Sequence, residues 1–277
     1  MTEASPEVFC AADTPATNAP AVALDSETPM GKVYLVGAGP GDPGLLTLKG
    51  KSLLEHADVV IYDALISPAI LAMINPQAEQ IDAGKRRGRH SLLQTETTQL
   101  LIDKARESAV VVRLKGGDPF MFGRGGEEMQ ALVAAGVAVE VVPGITSGIA
   151  APAYAGIPIT HRDYNSSVTF VTGHEAAGKY RPELNWMAIA QGADTIVIYM
   201  GLHNLAQIVP QFLAAGRTAD TPVALIHWGT TPNQRVLIGT LATIVEQVAA
   251  AQFAAPSIAV IGNVVSLHEI LNPLKPA

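Results

Sequence analysis

The chain has 277 residues, 48% of them hydrophobic, with 18 Lys and Arg against 25 Asp and Glu for a formal net charge of -7. That length and apolar content suffice for two modest domains or one large one, while the acidic balance excludes a general nucleic-acid or membrane-surface binder, which needs a basic excess. One cysteine, Cys10, excludes an intrachain disulfide and a cysteine-based metal site, and no histidines stand at ligand spacing, so no metal is expected.

The first thirty residues carry five acidic groups and four prolines but no Lys or Arg, which fits neither a secretory signal nor a transit peptide. Residues 1–30 are expected to be a disordered extension. Later apolar runs fall well short of the roughly 20 residues that a spanning helix needs, so a cytoplasmic location is expected. Val33 to Val36 predicts a first strand, followed by the loop Gly37-Ala-Gly-Pro-Gly-Asp-Pro-Gly44 and a helix over Leu45 to His56. Val59 to Tyr62 predicts a second strand ending at Asp63, with Ser67-Pro68 as helix cap and first helical residue, which leaves Asp63 free for other work. A third strand ends near Ala83, and Ser91 with Gln94 resembles a capping box for a helix through Arg106.

Val110 to Val112 predicts a fourth strand, opening into Arg113-Leu-Lys-Gly-Gly-Asp-Pro-Phe-Met-Phe-Gly-Arg124 and a helix over Glu127 to Ala135. Val137 to Val142 would be the fifth. This β-α-β rhythm predicts a mainly parallel sheet over residues 31–144. A small-residue helix at Ile145 to Ala155 then begins a second α/β domain over 145–275. Its strand candidates are Ser167 to Thr172, Thr195 to Met200, Pro222 to His227, Arg235 to Ile238 and Ser257 to Ile261, with helices at Leu205 to Ala215 and Leu241 to Gln252. The strand from Arg235 follows a turn cluster and should pair antiparallel, making this sheet mixed.

Strand-to-helix loops in such folds lie at the carboxyl edge of the sheet, where ligands bind. Gly39 to Gly44 satisfies a G-x-G-x-x-G pattern, but Pro40 and Pro43 have no N–H to offer a pyrophosphate, which weakens a dinucleotide reading. A tight turn alone explains it as well. Asp63 taken alone is better read as a loop cap than as a ligand group. Lys85, Arg86, Arg87, Arg89 and His90 form either a solvated face or a site for a ligand bearing several carboxylates or phosphates. Met121 and Met200 read as core or pocket wall, and His56, His203 and His268 as structural.

Taken together, several blocks resemble the tetrapyrrole methylases that use S-adenosylmethionine, and within that family the branch acting on uroporphyrinogen III. They are Val36 to Leu48, Tyr62-Asp63, Gly84-Lys85-Arg86, Val112 to Phe120, Val142 to Thr146, Tyr154 to Asp163, Val171 to His174 and Tyr199-Met-Gly201. The resemblance implies a two-domain α/β fold, a homodimer, and an active site in the cleft between domains. It further implies transfer of methyl groups from S-adenosylmethionine, a co-substrate, to C2 and C7 of uroporphyrinogen III. The alternative is a sister enzyme methylating a later corrinoid intermediate. By position, the resemblance implies cofactor contacts at Pro40, Gly116, Gly117, Asp118, Met121, Thr146, Ser147, Met200 and Gly229. Met121 and Ser147 depart from the isoleucine and alanine common in the family. Asp63 would be the proton acceptor, Lys85 the donor, and Arg113 a competing candidate for handling the proton or anchoring the substrate. Substrate carboxylates would meet Lys85, Arg86, Arg113, Lys115, His161 and Arg162, with Met200 beside the ring.

Overall fold

The computed structural model describes residues 30–84, 93–173 and 184–272. The expected N-terminal extension, the basic segment from Lys85 and Arg86 to His90, Ser91 and His174 lie outside these residues. The first sheet contains β1 (Lys32–Gly37), β2 (Val59–Tyr62), β3 (Glu79–Asp82), β4 (Val110–Lys115) and β5 (Ala138–Val142). Their order is β3-β2-β4-β1-β5 and every neighbouring pair is parallel. β1, β2 and the first half of β4 read as apolar runs because helices cover both faces, whereas β3, at the edge of the sheet, is Glu-Gln-Ile-Asp and largely exposed. Val33, Leu35, Ile61 and Val111 pack against α3 (Gln94–Glu107) and α4 (Gly125–Ala134). Val36, Val60, Val112 and Leu114 pack against α1 (Leu48–His56) and α2 (Pro68–Leu71).

Local hydrogen bonding moved several expected boundaries. The helix expected from Leu45 begins at Leu48, where the Thr47 hydroxyl accepts from the Gly50 amide at 3.0 Å; Pro43–Leu45 is a separate 3-10 turn. Ser67 stands at the start of α2, but its hydroxyl makes no capping bond. α3 is capped two residues later than expected, the Leu93 amide donating to Glu96 at 2.6 Å.

α5 (Ser147–Tyr154) links the first sheet to the second, which contains β6 (Val168–Thr172), β7 (Thr195–Tyr199), β8 (Pro222–His227), β9 (Arg235–Thr240) and β10 (Ser257–Ile261). Their order is β6-β7-β10-β8-β9, with β6 and β7 parallel and the other pairs antiparallel, so the sheet is mixed. One face packs Ile196, Ile198, Val223 and Leu225 against α6 (Trp186–Gly192), α7 (Leu205–Ala214) and α8 (Ile244–Ala250). The other packs Val197, Ala224 and Ile226 against Ala151 and Ala155 at the end of α5. α6 and the terminal α9 (His268–Leu271) were not expected from the sequence; both are short, and α6 buries only Trp186 and Ala190. Among the described residues no helix is long and apolar enough to cross a membrane.

Candidate active site

β1 and β4 lie side by side in the first sheet, so the loops that leave their carboxyl ends meet. The Gly117 amide donates to the Gly39 carbonyl at 2.8 Å and the Gly39 amide returns a bond at 3.1 Å. Both glycines have positive φ, 72° and 69°, which a side chain would strain. The Asp118 carboxylate pins the same loop, one oxygen accepting from the Phe120 amide at 2.8 Å and the other from Gly144 at 3.0 Å. Gly144 has to be glycine, since a Cβ there would stand 2.2 Å from the Gly117 carbonyl oxygen. These loops form one wall of a cavity of about 550 Å³.

The second sheet supplies the facing wall. β7 and β8 run toward the cavity and deliver Tyr199, Met200, Trp228 and Gly229 at their carboxyl ends. β10 runs antiparallel to both, so its amino end, from Ala255 to Ile258, meets the same space. Met200, Trp228 and Phe122 line the cavity with φ of 53°, 44° and 52°, a conformation that non-glycine residues rarely hold and that concentrates at ligand sites. The buried Tyr199 hydroxyl lies 2.7 Å from the Thr146 hydroxyl and accepts from the Gly148 amide at 2.9 Å, fixing the start of α5. Burial pushes the Tyr199 phenol above its ordinary pKa. The two sheets are also tied at the back, where the Tyr154 hydroxyl donates to Asp42 at 2.6 Å and the Asp42 amide donates to Thr230 at 3.2 Å. The Tyr154 bond, with help from the Gly44 amide, holds the Asp42 carboxyl below the usual range.

Every candidate cofactor contact, Pro40, Gly116, Gly117, Asp118, Met121, Thr146, Ser147, Met200 and Gly229, lines this single cavity, and Asp63 joins them. Asp63 is engaged rather than free, because one carboxylate oxygen accepts from Arg113 Nη2 at 2.5 Å. Arg113 and Lys115 were expected to face substrate carboxylates, but in the structure both side chains turn inward. They are only 4% and 3% exposed and are absent from the lining. On β4 they point to the same face as Val111, under α3 and α4, where Glu128 neutralises them: Arg113 Nε and Lys115 Nζ each lie 3.2 Å from its Oε1. Burial works against the Arg113 charge, but Asp63 and Glu128 outweigh it and raise its pKa. Burial, followed by the Arg113 charge, lowers that of Lys115.

His161 and Arg162 also stand away from the cavity. Their turn is closed by Asn165, which donates to Thr195 at 2.9 Å at the first residue of β7. At about 3.3 Å per residue, that end of β7 lies about 16 Å from Met200. Lys85 and Arg86 fall outside the described residues. Sequence reasoning missed His203, which was read as structural but lines the cavity, and also Tyr199, Trp228 and Phe122 as lining residues. Position at the carboxyl ends of β7 and β8 was the available signal for Tyr199 and Trp228. Glu128, fully buried, was missed as well.

Comparison with known proteins agrees with this architecture. The family model described as Tetrapyrrole (Corrin/Porphyrin) Methylases matches residues 32–245. A Synechocystis relative named uroporphyrinogen-III C-methyltransferase is 71% identical over 86% of this chain and 90% of its own. The crystal structure of a Thermus thermophilus uroporphyrin-III C-methyl transferase complexed with S-adenyl homocysteine superposes with a TM-score of 0.74 at 39% identity, covering 86% of this chain and all of that one. A cobalt precorrin-4 methyltransferase superposes with a TM-score of 0.75 at 31% identity, over 84% of this chain and 95% of its own. With its fold and most of its length shared in this way, the chain belongs to the tetrapyrrole methylases.

Proposed function

We propose that the protein transfers methyl groups from S-adenosylmethionine to C2 and C7 of uroporphyrinogen III, giving precorrin-2 and two molecules of S-adenosylhomocysteine. The observation that carries this reading is the meeting of nine candidate cofactor contacts and Asp63 around one cavity between the two sheets. The cavity suits the co-substrate. A Cβ at Gly116 would touch only Leu65, at 3.8 Å, and one at Gly117 nothing nearer than 3.7 Å, so bare backbone lines a space that a side chain would fill. Asp118 adds a carboxylate, and Thr146 and Ser147 add hydroxyls. When bound, S-adenosylmethionine supplies a methyl group already activated on a cationic sulfur. Gly116 and Gly117 then admit the ligand close to the main chain, Asp118 complements its positive charge, and the apolar side chains of Met121, Phe122 and Met200 exclude water. Holding two reactants in line is worth about 7 to 11 kcal/mol, and an acceptor as electron-rich as a pyrrole carbon needs little more.

Methylation leaves positive charge on the macrocycle, and a proton must depart as its double bonds rearrange. Asp63 is placed to accept it, with one oxygen held by Arg113 and its side chain 33% exposed at the cavity. Arg113 therefore serves Asp63 rather than a substrate carboxylate. The donor role of Lys85 and the anchoring role of Lys85 and Arg86 rest on the resemblance alone. A homodimer in the cytoplasm completes the reading. The decisive experiment incubates the protein with uroporphyrinogen III and S-adenosylmethionine and follows product mass: a gain of two methyl groups supports the reading. No gain there, with methylation of a later corrinoid, would favour the sister activity, for which 31% identity to the precorrin-4 enzyme is weaker support than 71% to the Synechocystis relative.

A further inference from the structure

Resting on the reading of Asp63 as proton acceptor, we infer that Glu128 is a positioning residue for methyl transfer, setting the place of the Asp63 carboxylate through Arg113. Glu128 lies in the first turn of α4 with no exposure to solvent, beneath the cavity and out of reach of it. Burying charges is unfavourable unless they are paired, and replacing a whole buried set, cations included, by apolar residues of the same volume often leaves a fold as stable or more so. Stability alone therefore gives no reason for a buried set of Arg113, Glu128 and Lys115 here, although with both cations present Glu128 neutralises them. Its contacts give one.

Three donors converge on Glu128 Oε1: Gln94 Nε2 at 2.8 Å, Arg113 Nε at 3.2 Å and Lys115 Nζ at 3.2 Å. Lys115 Nζ also lies 3.2 Å from Oε2. Glu128 is thus held from α3 and β4, and it in turn seats the guanidinium of Arg113. That group is planar, so fixing Nε fixes the direction of its other nitrogens. Nη1 rests 3.4 Å from the carbonyls of Ile61 and Leu114, and Nη2 meets Asp63 Oδ1 at 2.5 Å. Asp63 alone among these five residues lines the cavity. A carboxylate that must accept a proton from one position of a large ring is thereby built on a buried frame of alternating charge, Asp63, Arg113, Glu128 and Lys115, rather than on a loop side chain's own torsions.

The test is a double-mutant cycle on turnover. In Glu128→Gln the new amide group would face the Lys115 ammonium, donor against donor, so the frame cannot keep its arrangement. Misplacement of a catalytic group by a fraction of an ångström to an ångström lowers kcat by roughly tenfold to a hundredfold. We expect at least a tenfold loss of kcat for E128Q alone and less than about a twofold further loss when it is added to Asp63→Asn, because the two act as one unit. Affinity for S-adenosylhomocysteine, measured by calorimetric titration, should stay within about twofold, since that part of the cavity is built from other loops. Arg113→Lys, which keeps the charge but cannot span both carboxylates, gives the same cycle independently if E128Q does not fold. Equal losses of kcat in both backgrounds, unchanged kcat in E128Q, or a parallel loss of ligand affinity would overturn the inference. Full turnover by D63N would also overturn it, while dimethylated product from the unaltered protein would leave the proposed reaction standing.

Discussion

Gly117→Ala separates the two reasons for a glycine in the β4 loop. With φ at 69°, an alanine there sits in the left-handed region, which costs about 1 to 2 kcal/mol. Its methyl meets no clash, because the nearest atoms are the Ser147 amide nitrogen at 3.7 Å and Thr146 Cα at 3.8 Å, both ordinary contacts. The fold should survive with a melting temperature lowered by a few degrees, at about 2 to 4 °C per kcal/mol. That methyl nevertheless stands where the cavity presents bare backbone. We expect S-adenosylhomocysteine affinity to fall tenfold or more, which is about 1.4 kcal/mol. Gly144→Ala is the control, since its Cβ would lie 2.2 Å from the Gly117 carbonyl and 2.7 Å from Gly37 Cα, backbone that cannot move aside. It should fail to fold. Titration calorimetry and denaturant melts on both variants decide the matter. Unchanged affinity in G117A with the expected loss of stability would mean that the glycine serves backbone conformation only and that the loop does not touch the ligand.

Tyr199→Phe removes a buried hydroxyl and leaves the Gly148 amide without its acceptor, a loss of about 1 to 3 kcal/mol in denaturant unfolding accompanied by weaker ligand binding as Thr146 and Ser147 loosen; a change below about 0.5 kcal/mol would show the bond to be dispensable. Gly229→Ala would put a Cβ 2.2 Å from that of Ala151, so it should destabilise the protein, and Ala151→Gly should restore most of the loss; additive melts would refute that contact. Glu140 accepts from Lys32 at 2.5 Å and also from Lys49, and these contacts hold its carboxyl at about 2. A depressed carboxyl stabilises the fold fully above its unfolded value near 4.3 and loses that contribution as pH falls toward 2. Glu140→Gln should therefore melt lower than the parent at pH 7 in low salt, the gap closing toward pH 2 and shrinking in strong salt because the groups are exposed. A gap that persists at pH 2 would assign the effect to something other than charge.

The first sheet was legible because four of its strands are short Val- and Ile-rich runs punctuated by glycine and proline; β1, β2 and β5 stand within one residue of expectation, β4 runs on to Lys115, and the polar β3 was expected only by its end. Helix starts were harder. Leu45 to Leu48 is apolar in either conformation, and only the hydroxyl of Thr47 bonding three residues ahead decides where α1 begins. α6 escaped because a seven-residue helix with two buried side chains has no periodicity to detect. In the cavity, the glycine and aspartate contacts were legible as strand-end loops, but the lining by β10 was not, since an antiparallel strand reaches the site with its amino end.

The inward placement of Arg113 and Lys115 was hidden for a more instructive reason. Basic residues flanking a glycine-rich loop in an acidic protein suggest an anion site when only the charges are counted. On β4, however, Val112 and Leu114 are as buried as Val111, so alternation carries no information about which side is wet. The missing signal lay in α4. Its buried positions are Gly125, Glu128 and Leu132, a helical stripe of spacing three and four in which one member is a carboxylate. A glutamate inside an apolar stripe must meet a buried cation, and the strand directly before that helix, β4, offers two on one face. Had the stripe been weighed with the strand, the pair of cations would have been assigned inward, to Glu128 and Asp63, and the substrate's carboxylates would have been left to other loops.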